Sequence, residues 1–92
     1  MTEVTYSAND KNPILDVNVK SKAKTIFEGS GHSVTSKNER GAFDILPFHT
    51  NFVTLIADYI IIDKGLKTEK SFKIERGVLY VLSNKVDIYV GI

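Results

Sequence analysis

A chain of 92 residues, 42% hydrophobic and 25% charged, can enclose one core, which leaves little room for an elaborate substrate pocket. It has no cysteine and only two histidines, so disulfide staples and thiolate metal sites are excluded and a structural zinc site lacks ligands. Its net charge is +1, with both signs interspersed along the chain, so no strong field draws it to nucleic acid or an anionic membrane.

The N-terminus, "MTEVTYSANDKNP", has neither the basic start nor the apolar run of a targeting signal. No later apolar run approaches the roughly eighteen residues needed to span a bilayer. Both points give a cytoplasmic location as the default. Residues 1–13 are polar and end at Pro13, which reads as a loosely ordered leader before a single domain over 14–92. In "ILDVNVK", Leu15, Val17 and Val19 alternate with Asp16, Asn18 and Lys20, the period-2 pattern of a strand with one dry face. "TIFEG" continues extended and stops at Gly29. "HSVTSKNERG" is polar and suits a strand end and a turn. "AFDILP" and "FVTLIADYIIID" follow as strands separated by Pro47, which cannot donate to a ladder. The consecutive apolar residues of "YIIID" predict a segment covered on both faces.

"KGLKTEK" reads as a hairpin loop whose lysines guard an edge. "SFKIERG" sets Phe72 and Ile74 on one face, and "VLYVLS" is rich in strand formers throughout. "VDIYV" aligns Val86, Ile88 and Val90, with Asn84 and Lys85 as the tight turn before it. Short strands at regular spacing, with no amphipathic run of helical length, predict an all-β fold. Its form is a two-sheet sandwich or flattened barrel of mostly antiparallel strands.

The densest stretch is "GAFDILPFHTNF", residues 41–52. His49 with Asp44 could suggest a catalytic dyad, but no nucleophile or orienting third group accompanies them, and alternation turns Asp44 away from the bend. The better reading of His49 is a bend histidine whose ring bonds backbone groups and fixes the loop. His32, between Gly31 and Ser33, reads as a solvated turn residue. Phe43, Phe52 and Phe72 are needed as core in a sandwich of this size. Phe48 stands outside the alternation of its neighbours, where an exposed aromatic marks a binding surface; the alternative is a plug folded over the barrel end.

Residues 14–92 resemble the N-terminal β-sandwich domain of the epsilon subunit of F-type rotary ATP synthases, called delta in mitochondria. "TIFEG" is similar to the family's early strand end. "GAFDILPFHTNFVTLI" is similar to its hallmark segment Gly-x-Phe-x-(Ile or Leu)-Leu-Pro-x-His, and "RGVLYVLSNKVDIYV" to its closing hairpin. The three pieces fall in the family's order without large gaps. The sequence also departs from the pattern. Phe48 stands where family members commonly have glycine, Thr50-Asn51 where they have Ala-Pro, Ala42 where they have an acidic residue, and Arg76-Gly77 where they have Gly-Gly. The sequence ends at Ile92, where full-length members continue into a helical hairpin, so the expectation is a protein without that inhibitory or nucleotide-sensing arm.

The resemblance implies a non-catalytic subunit of the central stalk, an adaptor coupling the gamma shaft to the membrane rotor ring, with no cofactor and no nucleic acid. It implies partner contacts at Phe48, His49, Thr50, Asn51, Gly77 and Leu79, and a ring-facing loop at Arg40, Gly41 and Ala42. It also implies a peripheral position on the inner face of the plasma membrane through the complex. The alternative is a stand-alone β-sandwich interaction module that kept the epsilon fold.

Overall fold

The computed structural model describes residues 14–91; the leader expected over 1–13 lies outside them. Seven strands follow in order: β1 (Leu15–Lys20), β2 (Thr25–Gly31), β3 (Val34–Asn38), β4 (Gly41–Ile45), β5 (Phe52–Ile62), β6 (Lys70–Leu82) and β7 (Lys85–Val90). They hydrogen-bond as one sheet in the order β2-β1-β7-β6-β5-β3-β4. Only β1 and β7 run parallel; every other neighbouring pair is antiparallel.

The expected all-β sandwich is what forms, but its layers are the two halves of one coiled sheet rather than two separate sheets. The long strands β5 and β6 make this possible by running through both layers. Their paired halves Phe52–Ala57 and Arg76–Val81 continue through β7 into β1 and β2. Their other halves, Asp58–Ile62 and Lys70–Ile74, continue into β3 and β4. Where the halves meet, Ala57 pairs with Arg76 and Asp58 with Ile74, so Glu75 is looped out of the ladder. Asp58 takes φ 77°, and Lys37 Nζ binds its Oδ2 at 2.9 Å, which raises the lysine pKa through that hydrogen bond and the charge behind it. A bulge adds twist and bends the strand that carries it. Here it also shifts the side-chain alternation by one position. Phe72 and Ile74 face inward before it, and Leu79 and Val81 face inward after it.

The core between the layers is built from Leu15, Val17 and Val19 of β1, Ile56, Ile60 and Ile62 of β5, and Val86, Ile88 and Val90 of β7, with Val34, Ile45, Leu79 and Val81. Phe27 on β2 meets Phe72 on β6 with ring centroids 6.1 Å apart, and Phe43 on β4 meets Phe52 on β5 at 5.9 Å, edge on. These pairs are partly buried and pack against the core. The expected alternation of β1 and β7 holds, and the three phenylalanines assigned to the core lie partly buried against it.

Three local expectations need correction. The polar run after His32 contains a strand, β3, in which Val34, Thr35 and Ser36 are buried. The two hydroxyls tolerate that because each donates a hydrogen bond: Thr35 Oγ1 to Asp44 Oδ1, and Ser36 Oγ to the Tyr59 carbonyl at 2.7 Å. "SFKIERG" and "VLYVLS" are one strand of 13 residues, since the bulge at Glu75 lets the ladder continue. The last turn is Ser83-Asn84, because Leu82 still pairs with Lys85.

The covering of "YIIID" is also graded by face. Ile60 and Ile62 enter the core, while Tyr59 and Ile61 on the other face are half-buried.

Candidate functional site

Pro47 follows the end of β4 at Ile45, and the chain turns through 46–51 before β5 begins. The bend closes when the His49 amide donates to the Leu46 carbonyl at 3.2 Å. His49 Nδ1–H donates to the Thr50 carbonyl at 2.7 Å, and the imidazole packs on Phe52 with centroids 5.5 Å apart. The bend histidine therefore fixes the loop, as its sequence context suggested. Asp44 points away on β4, with its carboxylate accepting from Thr35. Among the described residues no group of three His, Asp or Glu side chains is placed to hold a metal ion.

Phe48 sits at the apex with φ 67°, in the left-handed region that a bulky residue enters only at a cost. Phe48 thus holds a backbone conformation that glycine would adopt freely. Its side chain is 64% exposed, which excludes the plug reading. Thr50 and Asn51 are also exposed, but Asn51 is occupied: its Oδ1 accepts the Ser83 amide at 2.9 Å.

Gly77 and Leu79 are placed differently. Leu79 is wholly buried, and a Cβ on Gly77 would stand 2.6 Å from the Tyr89 carbonyl oxygen across the β6–β7 pair. Alternation sends both inward, so side chains of β6 that can reach a partner are those between and beyond them: half-buried Val78 and exposed Tyr80 and Leu82.

Those residues belong to a larger surface. Nine large apolar or tyrosine side chains are exposed among the described residues, and seven of them lie on one outer face or the end beside it: Leu46, Phe48, Val53, Leu55, Tyr80, Leu82 and Tyr89. Register explains the grouping. Val53 is paired with Tyr80, Leu55 with Val78, and Val78 with Tyr89, and Tyr80 and Tyr89 meet edge to face at 5.9 Å. Leu55 is 70% and Val53 61% exposed. A monomeric surface rarely gathers apolar side chains in this way without a partner for them. Apart from Phe48, the single residues of this patch were missed in the sequence, although a signal for them was present. "FVTLIA" and "VLYVLS" are apolar on consecutive positions, so each must present apolar groups on both faces.

The ring-facing loop expected at Arg40, Gly41 and Ala42 is the β3–β4 hairpin. Gly41 takes φ 117°, and the Arg40 amide donates to Asn38 Oδ1 at 2.9 Å. It borders a depression of about 410 Å³ whose other walls include Phe43, His49 and Phe52. On its other side the hairpin adjoins the apolar face, for Asn38 and Glu39 line a second depression of about 540 Å³ with Val53 and Leu55.

Residues 14–91 match the family model described as "ATP synthase, Delta/Epsilon chain, beta-sandwich domain". By sequence, no curated protein matches the chain. Among solved structures it is similar to a chain of the Euglena gracilis mitochondrial ATP synthase in its OSCP/F1/c-ring structure, with a TM-score of 0.75 at 18% identity. That match covers 91% of this chain and 56% of the other. A chain in the central stalk/c-ring structure of the Tetrahymena thermophila mitochondrial ATP synthase gives a TM-score of 0.67 at 15% identity, covering 83% of this chain and 62% of that one. The chain thus spans less than two thirds of the length of either. At these identities the likeness is one of fold.

Proposed function

The chain belongs to the delta/epsilon family of ATP synthase subunits through its β-sandwich domain, and from that premise we propose that it is a non-catalytic adaptor of the central stalk, joining the gamma shaft to the membrane rotor ring. The observation that carries the proposal is the concentration of exposed apolar side chains on the β5–β6–β7 face and the Phe48 bend. Three strands spaced about 4.8 Å apart, with apolar side chains over two to three alternate positions, make a platform on the scale of one helix of about 10 Å diameter. Docking a helical shaft there removes Val53, Leu55, Tyr80, Leu82 and Tyr89 from water, with Phe48 as an anchor at the end.

The β3–β4 hairpin, Arg40 to Ala42, is the part assigned to the rotor ring. Torque passes through the domain because its two layers share one hydrogen-bonded sheet and cannot slide independently. No helix among the described residues is long and apolar enough to cross a membrane; in this reading the protein is held at the membrane peripherally, through the complex.

The test is titration of the purified gamma subunit against the protein and two variants, Phe48→Ala and Leu55→Asp. Each should weaken binding by about 1 to 3 kcal/mol, roughly a factor of 5 to 150. Leu55→Asp should melt close to the parent, because a side chain 70% exposed contributes little to the core. Binding of both variants at parental affinity would remove the basis of the proposal.

A further inference from the structure

The Phe48 bend and the β6–β7 turn lie 36 residues apart in sequence, yet each is tied to the other by a side-chain amide. Phe48 N–H donates to Asn84 Oδ1 at 2.7 Å, and Ser83 N–H donates to Asn51 Oδ1 at 2.9 Å. Asn84 is itself anchored, since its carbonyl accepts the Asp16 amide at 2.8 Å. Both donors of this reciprocal pair are in left-handed conformation, Phe48 at φ 67° and Ser83 at φ 56°. Neither is glycine, so each adopts that conformation at a cost the surroundings must meet. The reciprocal hydrogen bonds are placed to do so. The two exposed apolar side chains next to them are Phe48 and Leu82, both near two-thirds exposed.

We infer that Asn51 and Asn84 are positioning residues that lock the bend and the β6–β7 turn into one rigid tip, so that Phe48 and Leu82 meet a partner as a preformed apolar pair. This deepens the docking proposal and rests on it. The apolar surface that receives the tip must be concave enough to take a phenyl and an isobutyl group held at fixed separation. A tip ordered in advance does not lose its loop entropy on binding, so its rigidity appears as affinity. The contacts use only the acceptor oxygen of each amide. Aspartate can therefore stand in for asparagine at either position, and leucine, of similar size, cannot.

The experiment combines amide hydrogen exchange, read by NMR on the free protein, with titration of purified gamma subunit. In Asn84→Leu the Phe48 amide should exchange about tenfold faster and gamma should bind about 5- to 10-fold more weakly, the loss of one hydrogen bond. In Asn84→Asp both quantities should stay within about twofold of the parent, since the acceptor is kept. Asn51→Leu and Asn51→Asp provide the same comparison at the Ser83 amide, and keep the test intact if the Asn84→Leu protein does not fold.

Equal effects of leucine and aspartate, or leucine variants with unchanged exchange and affinity, would overturn the lock. Phe48→Ala in the same titration separates the two levels. If it binds as the parent does, the docking surface itself is refuted; if it binds weakly while the leucine variants do not, only the lock is.

Discussion

Replacing Asp63 by alanine probes the most constrained polar group described. Asp63 closes β5 and is 4% exposed. Its Oδ1 accepts the His32 amide and its Oδ2 the Thr68 hydroxyl at 2.6 Å, while its own amide donates to the Ser33 carbonyl at 3.0 Å. One carboxylate thus pins the β2–β3 turn and the β5–β6 loop to the same point. Hydrogen bonds to a charged acceptor contribute about 1.5 to 3 kcal/mol each, but the exposed Thr68 hydroxyl can turn to water, so the His32 bond dominates. The backbone at φ 59° suits alanine less well than aspartate and adds up to about 1 kcal/mol.

Asp63→Ala should therefore lose about 2 to 4 kcal/mol, a large share of the stability expected for a domain of this size. Burial pushes the Asp63 carboxyl up, but the hydrogen bonds from Thr68 and His32, the His32 charge and the Ser33 backbone together outweigh it and hold the pKa below 3.8. A folded pKa below the unfolded one contributes stability that is fully present above the unfolded value and is lost as pH falls through the folded one. Urea denaturation followed by circular dichroism should show the full gap between parent and variant at pH 7, narrowing as the pH drops below about 4. A variant within about 0.5 kcal/mol of the parent at pH 7, or a gap that widens in acid, would refute this account of the pin.

Two further substitutions test local geometry. Gly77→Ala forces a Cβ to within 2.6 Å of the Tyr89 carbonyl oxygen and 3.4 Å of Val90 Cα, where backbone must yield; a loss of about 1 to 3 kcal/mol in urea melts is expected, and an unchanged midpoint would show that β6 and β7 are less closely packed than the structure has them. At position 48, with φ 67°, Phe48→Gly should be more stable than Phe48→Ala by about 1 kcal/mol, while both bind gamma more weakly than the parent. Equal melting of the two would mean that the bend relaxes out of the left-handed conformation.

Where the chain obeyed period 2 against a single core, as in Leu15-Val17-Val19 and Val86-Ile88-Val90, one residue type reports one environment, and the fold class was legible from residues alone. The hallmark around Pro47 was legible for a related reason: proline, the Gly41 turn and the bend histidine act through backbone rules that hold in any fold. Long-range geometry was not legible. Nothing near Glu75 announces a bulge, because the extra residue exists only relative to a partner strand, and it alone carries one β6 strand through both layers with its alternation shifted. Thr35 and Ser36 lay in a polar run that read as a strand end and a turn, and their burial became intelligible only when Asp44 and the Tyr59 carbonyl were brought to them. Leu79 and Leu55 are both leucines in strands, and one lies in the core while the other is exposed. Which face of a strand is outside depends on what the rest of the chain covers, and that is settled only when the sheet coils over its own core.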